Sequence, residues 1–162
     1  MSTEQFIFVA INQQKMHCFE KDNFYKSYTV STAKNGLGEQ KDSRCTPRGW
    51  HRIHSRIGLD AKENSVFVSR QFTGEIYSQE LAALFPKRDW ILTRILQLDG
   101  LEEGRNKGGD VDSLARYIYI HGTPDSTVLG KVGSKGCIRM ANKDIIDLAN
   151  WVRIDTRVCI EY

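Results

Sequence analysis

The apolar and polar positions of this chain alternate mostly with a period of two, the signature of half-buried strands. Phe6 to Ile11 predicts a first strand and Lys15 to Lys21 a second, joined through the polar turn Asn12–Gln14 as a hairpin. On that second strand His17 and Cys18 are neighbours and face opposite sides. Tyr25 to Ser31 predicts a third strand. Ala33 to Ser43 is a polar loop, Thr46-Pro47-Arg48-Gly49 a turn, and Trp50 to Ile57 a further strand. Ser65 to Val68 and Tyr117 to Ile120 are short strands. Thr156 to Tyr162 alternates, with either Val158 and Ile160 or Arg157 and Cys159 turned inward. Trp90 to Leu98 is a helix by length or a buried strand by composition. Two segments read as helices. Ser78 to Leu84 has Ser78 as its N-cap and Pro86 beyond its end; the other opens at Asn142, also placed as N-cap, with Ile145, Ile146, Leu148, Ala149 and Val152 as its apolar set. About nine short strands and two helices predict a mostly β domain: a mixed-sheet sandwich or open barrel with one or two packed helices.

Length and composition add a single domain over residues 1–162. The chain has 162 residues, 40% hydrophobic and 27% charged, enough for a sizeable core. A formal net charge of +3 is too mild to predict a nucleic-acid partner. No apolar run approaches the ~18 residues of a membrane span. The N-terminus has no basic region ahead of its short apolar core FIFVAI and no small-residue cleavage site, which predicts a cytoplasmic protein. The four cysteines show no CxxC spacing, and reduced thiols are expected in that compartment. His51 and His54 point to opposite faces of one strand, so no metal site is predicted. Loop Gly100–Asp112 lacks the lysine and Ser/Thr of a phosphate loop, and no cofactor is expected.

The candidate chemistry lies between Tyr117 and Met140. The strand delivers His121, with Gly122, Thr123 and Pro124 stopping it, and a loop carrying Gly130, Gly133, Ser134 and Gly136 leads to Cys137, sixteen positions after His121. A thiol near ~8.5 is mostly protonated at neutral pH. An imidazole within hydrogen-bond reach takes its proton, leaves a thiolate nucleophile, and later protonates a leaving amine. Gly136 permits a tight turn, and the amides of Gly136 and Cys137 can point at a developing oxyanion.

The run HGT, then SKGCIRM, then the helix start at Asn142–Asp144 resembles the signature of the L,D-transpeptidase catalytic domain (the YkuD-like family). VSTAKNGLGEQKDSRCTPRGWHRI resembles that family's substrate-side segment, and LTRILQLDGLEEGRN the strand and turn before its histidine, so Trp90–Leu98 is taken as a strand. The resemblance covers Phe6 to the C-terminus. It departs at Lys135, where the family usually has histidine. It implies the same fold, Cys137 as nucleophile and His121 as base, on the meso-diaminopimelate–D-alanine bond of peptidoglycan tetrapeptides. Within it, Gly122 is expected to orient the imidazole through its carbonyl, Ser134 to turn the loop or bond His121, and Arg139 and Lys135 to bind substrate carboxylate, with a structural ion pair as the other reading of Arg139. Lys135 can also lower the thiol pKa. Carbapenems are expected to acylate the thiol. An L,D-carboxypeptidase of murein recycling is favoured; a cross-linking transpeptidase and a non-catalytic stem-peptide-binding domain are the alternatives.

Overall fold

The computed structural model describes residues 4–162; Met1 to Thr3, part of the N-terminal stretch read for a leader, lie outside them. Ten strands and two helices follow in the order β1 (Gln5–Ala10), β2 (Lys15–Glu20), β3 (Asn23–Ser31), β4 (Gly49–Ile57), β5 (Ser65–Val68), β6 (Gln71–Ile76), α1 (Gln79–Leu84), β7 (Ile91–Gly100), β8 (Tyr119–Thr123), β9 (Ile138–Ala141), α2 (Asn142–Trp151) and β10 (Arg157–Glu161). The strands form one sheet in the order β4-β10-β1-β2-β3-β9-β8-β7-β5-β6, and β4 also pairs with β7. That pairing closes eight strands into a ring, where an open barrel was one expectation. It leaves the β5–β6 hairpin as an extension from the start of β7. Closure removes the two edges that an open sheet would present.

The core lies inside the ring. Ile7, Val9, Met16, Val30, Leu96, Ile120, Ile138 and Met140 meet Ile145, Leu148 and Ala149 of α2 there. Period-two alternation puts Ile7 and Val9 inward while Phe6 and Phe8 stay half-exposed. On β10, Val158 and Ile160 are fully buried, which settles the inward set. Trp90–Leu98 is strand, extended to Gly100 as β7. Polar ties anchor α2 across the barrel: Tyr28 donates to Asp147 at 2.6 Å, Trp151 Nε1 to Glu20 at 2.7 Å, and Arg56 to the Ala149 carbonyl at 3.1 Å.

Three local expectations are corrected. Ser78 does cap α1, accepting from the Leu81 amide at 3.0 Å, but Asn142 does not cap α2. The cap position is Ala141, with no side-chain bond, and the buried Asn142 amide serves tertiary structure. Its Oδ1 accepts from Thr93 at 2.6 Å and its Nδ2 donates to Asn64 at 2.9 Å. Strand β8 starts at Tyr119, because Tyr117 sits at φ +58, and it runs on through Gly122 to Thr123 where a stop was expected. Strands β6 and β9 were not expected at all.

Candidate active site

Strands β8 and β9 pair in parallel, with Ile120 opposite Ile138 and His121 opposite Arg139. The register sets Tyr119, His121, Cys137 and Arg139 together at one end of the sheet, outside the main core. Cys137 packs against a small cluster of Phe67, Ile95 and Tyr119. The β5–β6 hairpin leans over it: Arg70 donates to the Tyr119 hydroxyl at 3.0 Å and lies 4.8 Å over the Tyr117 ring.

His121 is buried. Its Nδ1 lies 2.6 Å from the Gly122 carbonyl, which only accepts, so Nδ1 carries the proton and Nε2 the lone pair. Burial holds the imidazole below its ordinary pKa, opposed by that hydrogen bond and by Asp89. The ring is therefore a neutral base at pH 7. Gly122 is required by packing: a Cβ there would meet Asn142 Oδ1 and, at 2.6 Å, the Leu92 carbonyl. Leu92 opens the β7 irregularity between Leu92 and Ile95, where Thr93 sits at φ +76, and Asn142 of α2 bonds Thr93 there. A β-branched residue in that region is strained, and here Thr93 is held by its hydroxyl contact to Asn142.

The Cys137 thiol donates to the Tyr117 carbonyl at 3.4 Å and accepts from the Tyr119 amide at 3.3 Å. The left-handed Tyr117 conformation leaves its carbonyl facing the sulfur. A direct thiol–imidazole hydrogen bond was expected; the thiol's bonds go instead to this backbone pair. A resting thiolate was expected as well. Burial instead pushes the thiol up to about 12, opposed by the Tyr119 amide and by the Arg139 and Arg116 charges. The resting pair is thus neutral thiol and neutral imidazole, both under the influence of the same two charges, Asp89 and Arg139.

The loop before Cys137 is fixed by one hydroxyl. Ser134 Oγ donates to the Cys137 carbonyl at 2.6 Å and accepts the Gly136 amide at 3.2 Å. Ser134 therefore turns the loop, and its bonds do not reach His121. The Gly136 amide, expected to face an oxyanion, is occupied by that hydroxyl. Gly136 itself stands at φ +129, which L side chains rarely adopt, against the Cys45 carbonyl. Thr46, fully buried, clamps the loop from the other side: its hydroxyl donates to the Gly136 carbonyl at 2.9 Å and accepts the Ala33 amide at 3.0 Å.

Arg139 reaches the Gly133 carbonyl at 3.1 Å and Asp89 at 3.0 Å, which favours the structural-pair reading of this residue. Lys135 is exposed and lines a cleft of about 280 Å³ beside Cys137, together with Lys41, Arg44, Arg116 and Tyr117. Cys45 turns its sulfur toward the Asn35 and Ser43 carbonyls, both at 3.6 Å. His51 is spent on the Gly49 carbonyl and the Ser113 hydroxyl. All four cysteines are free. Asp89, Arg116 and Tyr117 had been overlooked. Nothing local to their own segments marks them, since each acts on groups that only the fold brings near.

A profile of the L,D-transpeptidase catalytic domain, the YkuD family, matches residues 4–160. The chain belongs to this family. A curated relative, YkuD of Bacillus subtilis, is 51% identical over 61 residues, 35% of this chain and 37% of the relative. L,D-transpeptidase 3 of Mycobacterium tuberculosis, solved with a faropenem-derived adduct, superposes with a TM-score of 0.61 at 14% identity, covering 99% of this chain and 61% of that one. An LD transpeptidase solved in complex with imipenem gives 0.57 at 13%, covering 98% and 59%. These solved L,D-transpeptidases establish the shared fold, and this chain spans about three-fifths of their length.

Proposed function

We propose that this L,D-transpeptidase-family domain is a cysteine acyl-transfer enzyme that removes D-alanine from peptidoglycan tetrapeptides, an L,D-carboxypeptidase of murein turnover acting in the cytoplasm. Cys137 Sγ attacks the meso-diaminopimelate carbonyl, and its proton passes to His121 Nε2. The tetrahedral oxyanion is met by the Cys137 amide, since the Gly136 amide is engaged by Ser134. The carbon–nitrogen bond then breaks, a thioester remains on sulfur, and D-alanine leaves with the proton from His121. Water, deprotonated by His121, adds to the thioester and releases tripeptide.

The observation that carries this reading is the parallel β8–β9 register, which brings a neutral imidazole with Nε2 unprotonated and a protonated thiol to one end of the sheet. Such a pair needs no separated charges at rest, and proton transfer accompanies attack. The cationic lining beside the thiol supports water over an ammonium-bearing acceptor as the group that resolves the thioester. The faropenem adduct and imipenem complex of the solved relatives support acylation of Cys137 by carbapenems.

The test is a disaccharide-tetrapeptide incubated with and without an amine acceptor, its products weighed by mass spectrometry. Tripeptide and free D-alanine should dominate in both. Cross-linked dimers as the main product would make the enzyme a transpeptidase. Cys137→Ala should abolish turnover and the carbapenem adduct, and His121→Ala should slow turnover by about 10²-fold or more. Turnover by the alanine variant at near the parent rate would remove Cys137 from the mechanism. Fractionation with cytosolic markers tests the compartment.

A further inference from the structure

The cleft beside Cys137 carries more positive charge than its surroundings balance. Lys41, Arg44, Arg116 and Lys135 line it against a single carboxylate, Asp42. Among the described residues, none of these four cations takes part in an ion pair, whereas Arg48, Arg52, Arg88, Arg105 and Arg139 all do. Arg116 is the sharpest case. Its guanidinium is half-buried and bonded only to neutral acceptors: the Cys45 carbonyl at 2.8 Å, the Glu39 carbonyl at 3.1 Å, and the Gly38 carbonyl and Ser43 hydroxyl at 3.4 Å. A partly desolvated cation without a contact ion pair is costly unless something anionic arrives, and a concave wall concentrates its field.

The cleft is also placed for the chemistry. Tyr117, whose carbonyl accepts from the thiol, lines it, and Gly136, the residue before the thiol, rests on the Arg44–Cys45 backbone. We propose that this cleft seats a free carboxylate of the stem peptide, so that the enzyme distinguishes acid stems from amidated ones. Arg44 and Lys135, exposed at the rim, close on the anion, and Arg116 at the wall supplies the fixed charge. This inference rests on the stem-peptide reading above. That substrate offers three candidate carboxylates: at the terminal D-alanine, on the diaminopimelate side chain and at D-glutamate. Amidation of each removes the charge while nearly preserving the shape.

The test uses the Cys137→Ala chain, which binds without cleaving, titrated calorimetrically with the tetrapeptide and its three monoamides at low salt. One monoamide should bind about 10-fold or more weaker than the parent, the scale of a charge-assisted bond lost. The parent's affinity should fall as salt is raised. An Arg44→Gln, Lys135→Gln pair on the same background should erase the difference between acid and amide; both residues are exposed, so the fold is not at stake. The monoamide that loses affinity identifies the carboxylate. Equal binding of all three monoamides, or no binding of the parent, overturns the proposal. Wild-type turnover is scored separately. Cleavage indifferent to amidation sinks the cleft alone, whereas carboxylate-dependent binding without cleavage sinks the hydrolytic reading and leaves the cleft.

Discussion

A thiol that burial holds at about 12 makes a prediction opposite to the usual one for a nucleophilic cysteine. At pH 7 such a thiol is ionised to roughly one part in 10⁵, against about 3% for a free cysteine near 8.5, so its thiolate is scarcer by about 10³-fold. Alkylation by iodoacetamide follows the thiolate. In the absence of substrate, Cys137 should therefore react about 10³-fold more slowly than free cysteine at pH 7, and its rate should climb tenfold per pH unit through pH 10 without levelling. The physical sources are separable. Arg139 and Arg116 pull the thiol down, so Arg139→Gln and Arg116→Gln should each slow the reaction further. The assay is a series of pH-jump alkylations, quenched and digested, with the Cys137 peptide quantified by mass spectrometry so that the other three thiols do not intrude. A rate that plateaus below pH 8 would refute the neutral pair, because that plateau is the mark of a thiolate–imidazolium pair already formed at rest.

Other outcomes follow from single contacts. His51 is fully buried and its imidazole is pushed down to about 4 by burial. The unfolded chain takes a proton below about 6.5 that the folded chain refuses, so stability is complete above 6.5 and falls by about 3 kcal/mol as pH drops toward 4. Urea midpoints at pH 7, 5.5 and 4.5 should fall less steeply in His51→Gln; an unchanged slope would clear His51 of the effect. Thr46→Val strands the Ala33 amide and the Gly136 carbonyl, for a loss of about 2–4 kcal/mol, read as a lower thermal midpoint, and it should slow turnover through the loosened loop. A fall under about 0.5 kcal/mol would mean that the clamp is dispensable. Gly136→Ala must hold alanine at φ +129, a strain of about 1–3 kcal/mol. Turnover should drop sharply while the circular dichroism of the sheet is retained, and full activity would show that the loop relaxes without cost.

The sequence by itself determined the strands whose one face is buried. Ile7 and Val9, or Val158 and Ile160, must share a face because side chains alternate along a strand, but which set of β10 turns inward was left open until the fold buried Val158 and Ile160. It also determined the Ser78 cap, where donor and acceptor lie three residues apart, and it named His121 and Cys137 as the candidate reactive pair, which the β8–β9 register sets at one end of the sheet. What it missed depends on pairings far apart in the chain. Strand β9 is four residues long and reads as the end of a loop; β8 beside it in parallel and β3 antiparallel on its other side make it a strand. Asn142 looked like a cap because its own segment offers nothing better, but Thr93 and Asn64 claim its amide from other strands. Arg139 is matched with Asp89, fifty residues earlier. The state of the thiol is the furthest from the sequence. Motif spacing supplies an imidazole for it, yet its proton is held by the burial around it, against the pull of the Arg139 and Arg116 charges, and burial is a property of the assembled barrel.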